Sequence, residues 1–97
     1  RQAVQRVAHL FCEMALRMQL AGIGELTRFA LPTSQTRLAD VVGLTSIHLN
    51  RTLMALRPQG VIFRGGTVWL ESWGRVADFA EFDPTYLLIS EPALSEN

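Results

Sequence analysis

Three sets of side chains in this sequence have the types and spacing that chemistry uses. Ser46 and His48 offer a hydroxyl and an imidazole, and His9 and Cys12 offer two metal-ligand or redox groups three residues apart. Asn50 and Arg51 offer the two side chains that bond adenine and guanine edges in bidentate fashion. The first set fails on geometry, because residues two apart on a helix point to different faces and no base reaches the hydroxyl. The second fails on number, since two ligands do not close a metal site and a lone cysteine is more often a small buried hydrophobe. Trp69, Trp73 and Phe79 read as core and packing residues rather than a ligand box. No glycine-rich loop joins a strand to a helix, so no nucleotide cradle is expected. The residues therefore point away from an enzyme and from any cofactor within this stretch, and the third set remains.

Reading a base edge requires a helix with one face buried and the other presented, and the sequence around Asn50 and Arg51 supplies it. Thr45 caps a helix running from Ser46 to Arg57, and Pro58 forbids its continuation. At about 100° per residue, Leu49, Leu53 and Leu56 form one narrow core stripe, while Ile47, Asn50, Arg51 and Met54 gather opposite them. Ser46 lies near that group at the exposed N-terminal tip. A major groove roughly 12 Å wide admits such a helix, and residues near its N-terminus meet the bases. Residues 45–57 are thus expected to be the reading helix, with Ser46, Ile47, Asn50 and Arg51 at the bases. Nothing in the core stripe calls for an isoleucine at position 47, and a thymine methyl is its natural partner.

A second short helix precedes it, from a hydroxyl cap at Thr33 or Ser34 to Gly43, so two helices flank a tight turn. The polar groups of Thr33, Ser34, Gln35 and Thr36 lie at a helix N-terminus, where unpaired N–H groups and the helix dipole favour a phosphate. Thr45 stands in the same relation to the reading helix. Gly60 to Arg64, the pair Gly65-Gly66, and Thr67 to Leu70 spell strand, two-residue turn and strand. This predicts a wing over 61–70 with Arg64 at its tip, against the DNA backbone. Thr33, Ser34, Gln35, Thr45 and Arg64 are the expected backbone contacts.

The remaining text builds the support. From Val4 to about Leu20 the residues Val7, Leu10, Phe11, Met14 and Met18 recur at helical spacing, with Arg6, His9, Glu13 and Arg17 on another face. Gly22 and Gly24 stop that helix. The connector 22–32 carries Ile23, Leu26, Phe29 and Leu31, so it packs down, as a helix extension or as a strand. Trp73 to about Phe82 reads as a last helix, ending before Asp83-Pro84, and 91–97 as a frayed tail. The expected fold class is mostly α with a small β-hairpin wing, a three-helix core plus wing, in one domain over residues 1–90.

Bulk properties agree. The chain has 97 residues, 48% of them hydrophobic, which suits one core. Its mean hydropathy of +0.17 is high for so small a body, an expectation that a partner surface covers part of it. No apolar run approaches a membrane span and the first residues lack the apolar block of a signal peptide, so no membrane and a cytoplasmic location are expected. Cys12 stands alone, as in a reducing compartment. Net charge is zero, which by itself speaks against a nucleic-acid partner. Its distribution speaks the other way, because residues 1–70 hold eight arginines against three acids and residues 71–97 one arginine against six. All nine basic residues are arginine, which suits guanine and phosphate but follows equally from genomic base composition.

The run Ser34-Gln35-Thr36-Arg37-Leu38-Ala39-Asp40-Val41-Val42-Gly43-Leu44-Thr45, followed by Ser46-Ile47-His48-Leu49-Asn50-Arg51-Thr52-Leu53, resembles the helix-turn-helix of the Crp/Fnr family of bacterial transcription regulators. The likeness continues in Arg6 to Glu13, in Leu56-Arg57 through Ile62, and in Phe82 to Leu87. It implies a winged helix-turn-helix that binds double-stranded DNA, with Arg51 on guanine and Ser34 or Gln35 on the backbone. It also implies a β-roll sensor domain for a small-molecule effector and a homodimer formed through a more N-terminal region. The sequence departs from the family at Ser46-Ile47, where many members carry Arg-Glu, so a carboxylate readout of cytosine is lost and the operator should differ there. The rival expectation is a winged-helix module that docks protein and touches no DNA. The two separate by salt, which weakens a phosphate-bound complex steeply and an apolar one little.

Overall fold

Helix α1 (Ala3–Leu20) forms where the sequence places it, but its buried seam is Val7, Ala8, Phe11, Cys12 and Ala15, while Leu10, Met14, Leu16 and Met18 pack half-buried around it. Small residues occupy the centre because α4 (Trp73–Ala80) lies directly on α1 with its own Val76, Ala77 and Ala80 turned inward. The computed structural model describes residues 2–85, so the expected domain limit at residue 90 and the frayed segment 91–97 lie outside the described residues. Burial pushes the Cys12 thiol up to about 12, which leaves it a neutral core group.

The connector resolves as a strand. After α1 the chain turns at Gly22, whose φ of 76° is the left-handed conformation glycine adopts without cost, and the Ile23 N–H bonds the Met18 carbonyl at 2.9 Å. Strand β1 (Arg28–Ala30) then pairs antiparallel with β3 (Thr67–Leu70), which also pairs with β2 (Val61–Arg64), giving the order β1-β3-β2. The wing is therefore part of a three-stranded sheet, one strand more than the hairpin expected from the sequence. Phe29, Val61, Val68 and Leu70 face the core; Ile62 and Trp69, opposite one another in register, face out.

Between β1 and β2 run α2 (Gln35–Val42) and α3 (Ser46–Leu56). Helix α3 stops one residue short of the expected Arg57, and Arg57–Gln59 instead form a single 3-10 turn with Pro58 inside it. Helix α4 likewise ends at Ala80, two residues before Phe82, because Glu81 takes a left-handed φ of 56° and the chain folds Phe82 back. The Phe82 ring then packs edge-on against His9 and Trp73, with centroids at 4.8 and 5.8 Å. One buried cluster, drawn from all four helices and all three strands, holds these elements together. Among the described residues, no helix is long and apolar enough to cross a membrane. The fold is a winged helix-turn-helix, mostly helical, with four helices and a small antiparallel sheet among the described residues.

Candidate nucleic-acid interface

Helix α3 is held by its buried side, where Leu49, Thr52, Leu53 and Leu56 turn inward. Among the described residues Thr52 is the one buried polar residue, and its hydroxyl donates to the His48 carbonyl at 2.9 Å, so it costs nothing in unmet hydrogen bonds. Its start is fixed by Thr45, whose Oγ1 accepts from the His48 N–H at 3.0 Å. The outward side carries Ser46, Ile47, His48, Asn50, Arg51, Met54 and Ala55, all exposed. Ile47 is 70% exposed and Met54 51%, which is unusual for side chains of this size.

Helix α2 sets the angle at which α3 stands. Ser34, not Thr33, is its cap, with Oγ accepting from the Arg37 N–H at 3.1 Å. Gly43 ends it at φ 72°, and the Leu44 N–H returns to the Ala39 carbonyl at 2.9 Å, so the three-residue turn to α3 has one defined shape. Arg6 of α1 donates to the Val42 carbonyl at 3.1 Å, closing the last turn of α2 from outside. Arg75 of α4 donates to the Pro58 carbonyl at 2.8 Å and fixes the exit of α3. Both arginines belong to the frame rather than to a ligand surface.

The wing turn Gly65-Gly66 has φ of 58° and 75°, which only glycine takes readily at both positions. The Leu31 N–H donates to the Gly66 carbonyl at 2.8 Å, bringing the wing tip beside the start of α2. A shallow groove results, lined by Pro32, Thr33, Ser34, Arg37, Gly65 and Gly66. Thr33 and Ser34 line it, while Arg64 and Gln35 are exposed beside it in sequence. The sequence did not single out Arg37, because its place in the groove depends on the wing crossing over from far along the chain. Its exposure on α2, three residues past the cap, was the only local signal.

From Val41 to Leu70 the chain carries Arg51, Arg57 and Arg64 and no acidic residue. None of these three side chains, nor that of Arg37, has a hydrogen bond or ion pair among the described residues, in contrast to Arg17, paired with Glu13 at 3.1 Å. The acids Asp78, Glu81 and Asp83 sit on α4 and its exit, the element packed on α1. Positive charge thus collects on α3 and the wing, while on α2 Arg37 is balanced by the exposed Asp40.

The other candidate chemistry does not assemble. His9 packs on Phe82 and Cys12 is buried, and among the described residues no third ligand joins them. Trp73 uses its indole N–H on the Cys12 carbonyl at 3.1 Å, a tie between α4 and α1. Compared with known families, residues 5–79 match the Crp-like helix-turn-helix domain, a span that takes in every strand and reaches from the first turn of α1 to the last of α4. No curated protein matches the chain.

Proposed function

The chain belongs to the Crp-like helix-turn-helix domain family, whose business is DNA binding in transcription regulation, and on that premise we propose that α3 with its cap, residues 45–57, enters the major groove while the wing, 61–70, lies on the backbone. Ser46, Ile47, Asn50 and Arg51 face the base edges, with Arg51 bidentate to a guanine and Asn50 suited to an adenine. Thr33, Ser34, Gln35, Thr45 and Arg64 hold phosphates, and Arg37 joins them from the groove beside the wing. The observation that carries this reading is the exposed face of α3, with Arg51 at its middle and no acid anywhere from Val41 to Leu70.

A single copy offers one short helix to one half-site. The domain, taken as residues 1–90, therefore acts as a homodimer on a palindrome, joined through a region N-terminal to α1 and regulated by a small-molecule effector in a sensor domain. Binding of the isolated chain is correspondingly weak.

The test is selection from random duplexes by the chain fused to a dimerising coiled coil, with Arg51→Ala and Arg64→Ala alongside. A palindrome should emerge; Arg51→Ala should relax one base position, and Arg64→Ala should weaken all duplexes alike and flatten the salt dependence. Enrichment of nothing, with both variants like the native protein, would transfer the exposed face of α3 to a protein-docking role.

A further inference from the structure

The exposed face of α3 is not uniformly polar, and the order of its side chains is informative. At about 100° per residue, Ile47 and Met54 fall within about 20° of one another, directly opposite the buried stripe of Leu49, Thr52, Leu53 and Leu56. Asn50 lies to one side of that line and Arg51 to the other, each offset by about 40° to 60° from Ile47. The crest of the helix is thus apolar and its flanks are polar. Neither crest residue packs in the core: Ile47 is 70% and Met54 51% exposed. Val41 and Ile23 are exposed as well, but each stands alone on its element, whereas Ile47 and Met54 share one line on the face of α3 that carries Asn50 and Arg51.

In the major groove the only apolar feature of a base edge is the C5 methyl of thymine, or the same methyl on 5-methylcytosine. Resting on the DNA-binding reading above, we propose that Ile47 and Met54 read two C5 methyl groups, one on each side of the guanine taken by Arg51. The two side chains are seven residues apart, about 10 Å along the helix. Because α3 lies in the groove and is inclined to the duplex axis, that span covers at most about three base-pair steps at about 3.4 Å each. The half-site therefore contains a guanine bracketed by methyl-bearing pairs no more than about three steps apart. The absence of any carboxylate on α3 fits the same site, because cytosine's amino donor finds no charged acceptor there. Arg51 on the same face calls for an anionic occupant rather than an apolar one, and the family's DNA-binding role makes that occupant DNA.

The experiment takes the duplex selected by the dimerised chain and replaces its thymines by uracil one at a time, which deletes a methyl and nothing else. Binding is read by fluorescence anisotropy. Uracil is expected to cost about fourfold at the Ile47 position, from loss of one buried methyl, and somewhat less at the Met54 position. Ile47→Ala should erase the first penalty and leave the second, and Met54→Ala the reverse; both residues are exposed, so both variants should melt with the native protein. Replacing the first thymine's pair by C·G should weaken binding, and 5-methylcytosine there should recover most of what a methyl contributes. If a duplex is selected and depends on Arg51, yet uracil is neutral at every position, the methyl readout is wrong and the DNA reading stands. If no duplex is selected at all, both fall together.

Discussion

Thr45 separates helix capping from phosphate contact, because one side chain is asked to do both. Its Oγ1 accepts from the His48 N–H at 3.0 Å, and in the proposed complex its hydroxyl proton donates to a phosphate. Thr45→Ala removes the cap and should cost about 1 kcal/mol. In a domain of this length that lowers Tm by about 4–8 °C. Thr45→Asp keeps an acceptor for the same N–H and places a negative charge at the positive end of the dipole, a further gain of about 0.3–1 kcal/mol, so its Tm should equal or exceed the native value. On DNA the order reverses. A carboxylate about 5 Å from a phosphate feels roughly 3 kcal/mol of repulsion at an effective dielectric of about 20. Salt at physiological strength, with a Debye length of about 8 Å, leaves about 2 kcal/mol, a loss of roughly thirtyfold. Thr45→Ala should lose only about fivefold, one hydrogen bond's worth. Thermal melts by circular dichroism and anisotropy titrations on the selected duplex read the two effects separately. Native-like DNA affinity in Thr45→Asp would refute the reasoning, leaving Thr45 as a cap with no phosphate near it.

Three further outcomes follow from the geometry. Gly60→Ala should destabilise more than Gly43→Ala. Both glycines have positive φ, at 81° and 72°, but a Cβ at 60 would meet the Glu71 Cβ at 2.8 Å whereas one at 43 meets nothing within 4 Å; equal losses of Tm would show that the strand β2 entry yields freely. Arg37→Ala should leave Tm unchanged, since its backbone N–H still bonds Ser34, while weakening every duplex alike and reducing the salt slope by about 0.9, which salt titrations measure. Cys12, with its thiol raised to about 12 by burial, should resist alkylation at pH 8 in the folded chain and react as the chain unfolds. Because that value lies above the unfolded thiol's, the group's contribution to stability is complete below about pH 9 and is lost as pH rises towards about 12, which denaturation at stepped pH follows.

What was legible in the sequence is what short-range chemistry decides. Thr45, Pro58 and the leucine stripe define α3 within a dozen residues, and Gly65-Gly66 defines the wing turn. Strand β1 was open because three residues carry too little alternation, and because its partner β3 lies about forty residues away, so only the folded sheet selects strand over helix. The α1 seam was legible at Val7, Phe11 and Cys12 but not at Ala8 and Ala15, which carry weak hydropathy and whose burial is imposed by the close approach of α4. Arginines gave the same lesson for the candidate site. Arg6, Arg17, Arg75 and Arg51 look alike in a charge count, yet the first three are committed to Val42, Glu13 and Pro58 and the last is not.

That division of the arginines bears on mechanism. Base readout demands that α3 stand within about 0.5 Å of its working position. Here two of the features that fix it lie away from the proposed DNA surface, Arg6 on the end of α2 and Arg75 on the exit of α3, while a third, the Leu31 to Gly66 bond, seats the wing beside the groove. Each joins α3 or its neighbours to an element far away in sequence, so these hydrogen bonds add to the buried packing of α1 on α3 in coupling a displacement of α1 or α4 to the reading helix. A sensor acting on the N-terminal end of α1 would therefore have a rigid route to α3, with Arg6 its first link. Arg6→Ala, which leaves the reading face chemically intact, should consequently lower affinity for the selected duplex more than it lowers Tm.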